Sequence, residues 1–323
     1  MTPDITVIVP CRNEAADIGD CIAAIAAQDV ARSEFEVLLV DGESDDGTVE
    51  AARAEAAANG LGIEVLENPD RTAATALNRG LSRARGRLIV RVDARSRITS
   101  GHLRRCREHL DDRRIGVVGG GQRPVARPGA TLEERGIVRA LSNRYTTGLA
   151  RYRRSDTPGA VDTVWMGAFR RSDLERVGGW PVRPAQNQDY RLNQTLRAEG
   201  LQVWFDPTLT ADYLPRRTLR ALARQYAAFG RAKGTIWRSG GTFAPRHALL
   251  LAGPLLLGVG LVAVVRRKGL APAGALAVAG LLVVDEVGSS SPASGQERAV
   301  AVVATLVADG AWLVGVVRGC ARR

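Results

Sequence analysis

Three acidic residues occupy positions from which a carboxylate could act on a bound ligand. Asp41 closes the apolar run FEVLLVD, Asp93 closes RLIVRVD, and Asp189 lies near the start of the amphipathic stretch NQDYRLNQTLRAEG. A carboxylate can accept a hydrogen bond from a base-ring N–H, hold a hard divalent cation that bridges a diphosphate, or remove a proton from a hydroxyl. The three acids are candidates for these three roles, in that order.

Each acid also has a plain structural alternative. Asp41, followed by GESDDGT, could belong to a capped turn between a strand and a helix that binds no ligand. Asp93 could pair with Arg91 or Arg95, which alternate with it along an extended chain. Asp189 could be an acid that stabilises a helix N-terminus through the helix dipole. Taken one by one, the motifs leave these alternatives open.

The elements that would position these acids alternate along the chain. Short runs rich in Val, Ile and Leu predict strands, and Ala-rich segments with apolar residues at helical spacing predict helices. The predicted strands are 5–10, 35–41, 63–67, 87–93 and 115–120, and the predicted helices are about 15–28, 46–59, 72–84 and 101–112, with Ser44, Asp45 and Asp46 at an N-cap. This alternation predicts an α/β fold, a parallel sheet covered by helices on both faces.

Ligands of such sheets bind beyond the carboxyl ends of the strands. Pro10, Asp41, Glu67 and Asp93 each end a predicted strand. We therefore expect these four residues along one edge of the sheet.

Composition excludes several classes of protein. The chain has 323 residues, 45% of them hydrophobic, which excludes extensive disorder, and a net charge of +11. Its four cysteines form no CxxC pair, which argues against a disulfide scaffold and a structural zinc site. Charged residues within the first apolar stretch argue against a cleaved secretory signal.

The C-terminal third has a different character. Residues 213–247 contain eight Lys and Arg residues, five aromatic residues and no acid, a pattern typical of nucleic-acid binding or of a helix on an anionic membrane surface. Apolar segments at 248–265, 270–284 and 299–317 follow, and they favour the membrane. Asp309 lies within the third segment, either as a functional intramembrane acid or, as we prefer, paired with a neighbour.

These observations predict three regions: a catalytic α/β domain (1–212), basic aromatic interfacial helices (213–247) and membrane-embedded apolar segments (248–323). We expect the plasma membrane as the location, with the catalytic domain in the cytoplasm and no nucleic-acid partner. The number of crossings stays open, although an even number keeps the basic C-terminus inside.

In their order and spacing, the motifs resemble family 2 glycosyltransferases, which have the GT-A fold. PCRNE, VDGESDDGT, the strand ending at Asp93 and the helix carrying Asp189 carry the resemblance. The similarity is strongest to the succinoglycan-biosynthesis type of bacterial membrane glycosyltransferase. Its RVDA, DTVxxGAFRR, NQDxxLNxxLRxxG, FDP and RQYxxFGRxK motifs stand here at 91–94, 162–171, 187–200, 205–207 and 224–233. The resemblance covers roughly residues 4–250.

The resemblance implies an inverting transfer of one sugar from a nucleotide-diphosphate donor, UDP by default, to a hydroxyl. Asp189 corresponds to the catalytic base. The implied donor-binding residues are Pro10, Arg12, Glu14, Asp41, Arg71, Asn78, Asp93 and Arg95; the acceptor-side residues are Gly167, Ala168 and Gln188. The acceptor is expected at the membrane, as a lipid-linked saccharide for exopolysaccharide or another envelope glycan.

One departure concerns the metal. Arg95 stands where the family generally has the second acid of its DxD element, and a guanidinium cannot bind a cation. Asp93 alone could hold Mg²⁺ or Mn²⁺ with water and phosphate, or Arg71, Arg91 and Arg95 could neutralise the diphosphate directly. We favour a retained metal.

Two sequence features narrow the function further. The QxxRW motif of processive polysaccharide synthases is absent, which favours a single-sugar transferase. The alternatives are an inactive membrane adaptor with the same fold, or a nucleotidyltransferase. A nucleotidyltransferase should carry a Gly-rich, Lys-containing phosphate loop after the first strand, and PCRNEAAD is not one.

Overall fold

The computed structural model describes residues 2–142, 156–183, 187–240 and 293–321. The chain divides into two compact units: 1–123 with 154–214, and 124–153 with 215–323. The first unit ends close to the predicted end of the catalytic domain, but the second also includes 124–153. The apolar segments predicted at 248–265 and 270–284 lie outside the described residues.

An eight-stranded sheet forms the centre of the first unit, in the order β3-β2-β1-β4-β9-β6-β10-β8. These strands are β1 Ile5–Cys11, β2 Phe35–Asp41, β3 Ile63–Glu67, β4 Leu88–Arg91, β6 Ile115–Gly120, β8 Gly159–Ala160, β9 Trp165–Arg170 and β10 Gln202–Phe205. The pairs β1–β2, β2–β3, β1–β4 and β6–β10 are parallel. The predicted α/β fold with a mostly parallel sheet is confirmed.

The departure from a fully parallel sheet is β9. It lies between β4 and β6 and is antiparallel to both. β8, at the edge of the sheet, is also antiparallel to its neighbour β10. A smaller sheet joins β5 Ser96–Arg97, β11 Ala211–Tyr213 and β7 Gln122–Pro124.

All but one of the helices that cover the sheet agree with the sequence pattern, although each of these is shorter than predicted; the short helix Arg171–Arg176 has no predicted counterpart. The covering helices are α1 Ile18–Ala26, α2 Thr48–Ala58, α3 Ala73–Arg83, α4 His102–Leu110, α6 Arg171–Arg176 and α7 Gln188–Ala198. In α3, an added Cβ on Gly80 would lie 2.6 Å from Ile8 Cγ2, so this glycine allows the helix to approach β1 closely.

The predicted N-cap of α2 is only partly right. Gly47 precedes the helix with φ 87°, in the left-handed region that favours glycine. Asp46 still acts on the first turn, because its carboxylate accepts the Thr48 N–H at 3.1 Å. Ser44 does not cap the helix; its hydroxyl donates to Asp41.

The second unit contains α5 Leu132–Ser142, α8 Leu219–Arg238 and α9 Gly295–Ala321. The contact between α8 and α9 contains Gly230 and Gly234 of α8 and Gly315 and Gly319 of α9, and an added Cβ on any of them would collide with the backbone of the opposite helix. Among the described residues, α9 is the one helix long and apolar enough to cross a membrane, with a mean hydropathy of 2.1 over its best window. It contains the predicted segment 299–317, with Asp309 half-buried.

Candidate active site

The carboxyl ends of neighbouring strands bring the predicted end residues to one edge of the sheet. The register of β1, β2 and β3 puts Cys11, Asp41 and Glu67 in one row, with Pro10 directly before Cys11. β4 pairs with the other side of β1, and Asp93 follows β4 by two residues. Asp41 and Asp93 therefore lie on either side of the end of β1. Two strand spacings put their backbones about 10 Å apart.

Unusual backbone conformations concentrate at this edge. In the described part of the chain, the non-glycine residues with positive φ are Asn13 (53°), Glu43 (55°), Arg71 (56°), Met166 (49°) and Asn187 (61°). The first three follow β1, β2 and β3. Met166 lies at the start of the antiparallel β9, and Asn187 directly precedes α7. Such strain persists where the surrounding structure holds it, commonly at ligand sites.

Asp41 is engaged within its own turn. Its carboxylate accepts from the Ser44 N–H at 2.9 Å and the Ser44 hydroxyl at 2.5 Å, and the Cys11 thiol lies at 3.6 Å. These contacts correspond to the structural alternative for Asp41, a capped turn. Its role towards a nucleotide base stays a prediction.

Arg91 joins the two other predicted acids. Its Nε donates to Asp93 at 2.7 Å, and its Nη1 donates to the two Asp189 oxygens at 2.6 and 2.7 Å. The Arg91 side chain is only 8% exposed, whereas those of Asp93 and Asp189 are 25% and 24% exposed. The ion pair expected as the alternative for Asp93 is present, but it includes Asp189, which is distant in sequence.

Asp93 has a second donor on its other oxygen. The Trp165 indole N–H donates to it at 3.0 Å, and the Asp93 backbone N–H lies 3.2 Å from the Met166 sulfur. Both partners come from the start of β9, whose antiparallel direction brings that end to the carboxyl edge. The Asp93 carboxylate is thus oriented by one cation and one indole, and lone pairs remain on its oxygens.

Burial raises the pKa of Asp189 above its ordinary value, and the neighbouring Asp93 acts in the same direction. Arg91 opposes this rise. Burial alone would lower the pKa of Arg91, but the two carboxylates raise it above its ordinary value, so the guanidinium stays charged. A carboxylate with a raised pKa at the edge of a site suits a general base.

Arg95 faces a different carboxylate. Its Nε lies 3.3 Å from Glu14, its Nη1 donates to the Leu214 carbonyl at 3.2 Å, and its guanidinium lies 5.4 Å from the Tyr213 ring centre. The Tyr213 ring in turn packs edge-on against Trp165, with ring centres 6.0 Å apart. The cation that replaces the second acid of DxD thus fixes the loop after β1.

Two predicted donor-binding arginines are exposed. Arg71 Nε donates to Glu43 at 2.6 Å, which links the loops after β3 and β2. Arg12 forms no ion pair with the described residues, and its side chain lies beside Gly42. Arg12 is therefore an available cation at this edge.

Four other predicted site residues are engaged in packing. Asn78 binds the Trp180 backbone twice, accepting from its N–H and donating to its carbonyl at 2.8 Å each. Gly167 and Ala168 are buried within β9, and Gln188 is buried at the start of α7. These contacts give each residue a structural role, and the donor or acceptor role stays a prediction.

Sequence reasoning missed Trp165 and Tyr213. Trp165 lies inside the DTVWMGAFRR stretch, and Tyr213 belongs to the basic segment predicted at 213–247. No local pattern marks either residue, because β9 and β11 reach the site through pairing with distant strands.

The metal-binding capacity rests on Asp93. No group of three or more His, Cys, Asp or Glu side chains suited to a metal ion occurs among the described residues. Mg²⁺, however, is commonly held by one or two carboxylates together with substrate phosphates and water. The donor set therefore fits an ion that arrives with a diphosphate.

Comparison with known proteins identifies the family. The model described as Glycosyl transferase family 2 matches residues 6–178, more than half of the chain. The chain belongs to glycosyl transferase family 2. The predicted resemblance is confirmed, and the chain is a glycosyltransferase with the GT-A fold.

Two curated proteins align with most of this glycosyltransferase. The succinoglycan biosynthesis protein ExoA of Rhizobium meliloti is 25% identical over 315 residues, 96% of this chain and 92% of ExoA. The dolichyl N-acetyl-alpha-D-glucosaminyl phosphate 3-beta-D-2,3-diacetamido-2,3-dideoxy-beta-D-glucuronosyltransferase of Methanococcus voltae is 22% identical over 257 residues, 73% of this chain and 74% of its own.

Solved structures share the fold. The mannosyltransferase PcManGT from Pyrobaculum calidifontis, in complex with GDP-Man and Mn²⁺, superposes with a TM-score of 0.65 at 23% identity, covering 99% of this chain and 87% of its own. Residues 1–349 of S. aureus TarS in complex with UDP give a TM-score of 0.50 at 16% identity, covering 95% and 90%.

Proposed function

We propose that this family 2 glycosyltransferase moves one sugar from a nucleoside diphosphate sugar to a hydroxyl of a membrane-associated acceptor, with inversion. The observation that carries the proposal is the link from Asp93 through Arg91 to Asp189, with distances of 2.6–2.7 Å. A donor-side acid and a candidate base are thereby neighbours at the carboxyl edge of the sheet.

Asp189 is the proposed base. Its carboxylate removes the acceptor hydroxyl proton as that oxygen attacks the anomeric carbon, and the diphosphate leaves on the opposite face. A single displacement of this kind inverts the anomeric carbon and needs no covalent sugar intermediate. The raised pKa of Asp189 supports this role, because a base is most effective when its pKa approaches the working pH.

The donor pocket is proposed at the loops after β1, β2 and β3. Arg12 and Arg71 are exposed there, and Glu14 and Asp41 hold the loops in place. UDP is the default nucleotide. Because the solved neighbours include complexes with GDP-Man and with UDP, the screen described below tests both guanosine and uridine diphosphate sugars.

Mg²⁺ or Mn²⁺ is the proposed cofactor, held by Asp93 together with the donor phosphates. When bound, the ion supplies Lewis-acid stabilisation of the charge on the leaving diphosphate. The Mn²⁺ in the PcManGT complex supports this assignment.

A lipid-linked saccharide is the proposed acceptor, for exopolysaccharide or envelope glycan synthesis at the plasma membrane, with the catalytic domain in the cytoplasm. The apolar α9 and the basic α8 support a membrane location. The names of the succinoglycan and dolichyl-phosphate relatives support an acceptor of this class. We retain interfacial helices at 213–247 and membrane segments at 248–323 as part of the proposal.

The test is the Asp189→Asn variant. Membranes containing the wild-type chain are screened with UDP- and GDP-sugars for release of the nucleoside diphosphate. We expect Asp189→Asn to lower turnover of the active donor by at least about 100-fold, with nucleotide affinity nearly unchanged. Asp20→Asn is the matched control, because Asp20 is also an acid in the first turn of a helix and is exposed.

An inactive adaptor is the second candidate, favoured by the Arg95 replacement alone. It predicts nucleotide binding without turnover of any donor in the screen. Turnover that survives Asp189→Asn would instead mean that another group acts as the base.

A further inference from the structure

We propose that Arg91 is a positioning residue that holds the base Asp189 at a fixed place relative to the donor-side acid Asp93. This inference rests on the proposed function, because it takes Asp189 as the base. This positioning role differs from direct neutralisation of the diphosphate, which the sequence leaves open for Arg91.

The first step is geometric. Arg91 uses Nε for Asp93 and Nη1 for Asp189, at 2.7 Å and at 2.6 and 2.7 Å. Because the guanidinium is planar and rigid, two of its nitrogens set the spacing of the two carboxylates. A lysine ammonium, a single point charge, cannot bridge them in the same way.

The second step concerns the helix turn that contains Asp189. It lies in the first turn of α7, and the preceding Asn187 has φ 61° and no side-chain cap bond to the helix. One turn further on, Asn193 donates to Thr163 at 3.0 Å, which fastens the middle of the helix. Arg91 comes from the central strand β4 and is buried, so it provides a fixed point for the first turn.

The third step is the charge balance. One guanidinium between two carboxylates leaves a net charge of −1 at the edge of the sheet. A purely structural ion pair would be neutral, because an uncompensated charge in a partly buried place is unfavourable. The extra negative charge is what a site needs if it is to accept a proton from a hydroxyl or to face a cation-bound diphosphate.

The neighbouring arginine acts more on Glu14 than on Asp93, since the effect of Asp93 on the Arg95 pKa is smaller than that of Glu14. Arg95 faces Glu14 at 3.3 Å, and both side chains are mostly buried, so their charges balance each other. Most of the negative charge of the Asp93–Arg91–Asp189 group therefore remains available to ligands.

The experiment compares Arg91→Ala and Arg91→Gln in the full chain, using the donor found in the screen. We expect kcat to fall at least about 30-fold while the donor KM changes less than about threefold, because the Trp165 indole still orients Asp93 and donor binding does not need the base. Millimolar guanidinium chloride should restore kcat of Arg91→Ala at least fivefold, and sodium chloride at the same concentration should not. The kcat of Arg91→Lys should stay low, because a lysine keeps the positive charge but cannot bridge the two carboxylates.

A double variant separates this inference from the proposed function. In the Asp189→Asn background, Arg91→Gln should change the residual turnover less than about threefold, because Arg91 acts on turnover through Asp189 and Asp93 keeps its Trp165 partner. Full activity of Arg91→Gln beside an inactive Asp189→Asn would overturn the role of Arg91 and leave the base intact. Full activity of Asp189→Asn would instead overturn the proposed base. If Arg91→Ala does not fold, Arg91→Gln carries the test, with donor affinity as the measure of an intact site.

Discussion

The pairing of charges around Asp93 bears on which cation neutralises the leaving diphosphate in the proposed reaction. Three arginines near the edge already face carboxylates: Arg91 faces Asp93 and Asp189, Arg95 faces Glu14, and Arg71 faces Glu43. Their positive charges are therefore largely balanced before a donor binds. This favours a divalent ion from solution over neutralisation by these arginines.

Removal of metal tests that argument. We expect exhaustive chelation to abolish turnover and Mg²⁺ or Mn²⁺ to restore it. Asp93→Asn should raise the metal concentration needed for half-maximal turnover at least about tenfold, because the amide is neutral and binds a hard cation weakly. The measurement is the release of nucleoside diphosphate as a function of metal concentration. It gives both the metal requirement and the concentration for half-maximal turnover, with Asp20→Asn as the control. Full turnover after chelation would contradict the metal assignment.

The pH dependence of kcat tests the state of Asp189. The proposed base must be ionised to act, so turnover should fall as pH falls through its pKa, and burial raises that pKa. We therefore expect the acidic limb of the profile to have its midpoint above about 4, the ordinary value for an aspartate. A kcat profile measured at saturating donor gives the midpoint. An acidic limb with its midpoint at or below the ordinary aspartate value would contradict the assignment of Asp189 as the base.

At the scale of elements, the glycine contact between α8 and α9 makes a sharp stability prediction. Gly315→Leu should destabilise the second unit by about 1–3 kcal/mol, because the side chain would enter the Ala227 backbone. Gly310→Leu is the matched control on the same helix, since no atom lies within 4 Å of its added Cβ. Thermal unfolding in detergent distinguishes them. Equal unfolding temperatures would contradict the close contact.

The elements show why part of the fold follows from the sequence. The strands β1 to β4 and the helices α1 to α4 have local periodic patterns, and the predictions there are confirmed to within a few residues. β9 has six residues and pairs with strands about fifty to eighty positions away, so nothing local marks it. The sequence likewise contains the two glycines of α8 and the two of α9 but does not say that they lie at one contact between the helices.

In the candidate site, too, some features follow from the sequence and others do not. Asp93 and Asp189 could be named from their motifs, because strand ends and helix starts are visible in the sequence. Their connection through Arg91 spans 98 residues and depends on the sheet order, which spacing along the chain does not encode. Asn78, Gly167 and Ala168 were also named from motifs, and their observed contacts are those of packing.

For the whole molecule, the charge distribution predicts a preference for anionic lipid. On α8, Arg220, Arg224, Arg231 and Arg238 are exposed and lie within an arc of about 40° over about 27 Å, with no acid on the helix. Basic residues near an anionic bilayer contribute about 1 kcal/mol each. A bilayer rich in phosphatidylglycerol should therefore stabilise the protein more than one of phosphatidylcholine.

The measurement is the unfolding temperature of the full chain in nanodiscs of the two lipids. Changing Arg224, Arg231 and Arg238 together to Gln should remove most of the difference. As a control, the exposed Arg53, Arg113 and Arg197 are changed to Gln, which removes the same amount of positive charge outside α8. This variant should keep the difference in unfolding temperature between the two lipids. Loss of the difference in both triple variants would mean that net charge alone is responsible.

The position of β9 has a consequence for synthesis on the ribosome. β4 and β6 both emerge before the strand that separates them, so each presents an unpaired edge while the intervening chain is made. Until residues 165–170 arrive, Asp93 lacks its indole partner, and Asp189 follows later still. A nascent chain stalled before this point would contain the proposed donor-binding loops but not the assembled Asp93–Arg91–Asp189 group, and its open strand edges would expose it to aggregation and to binding by chaperones.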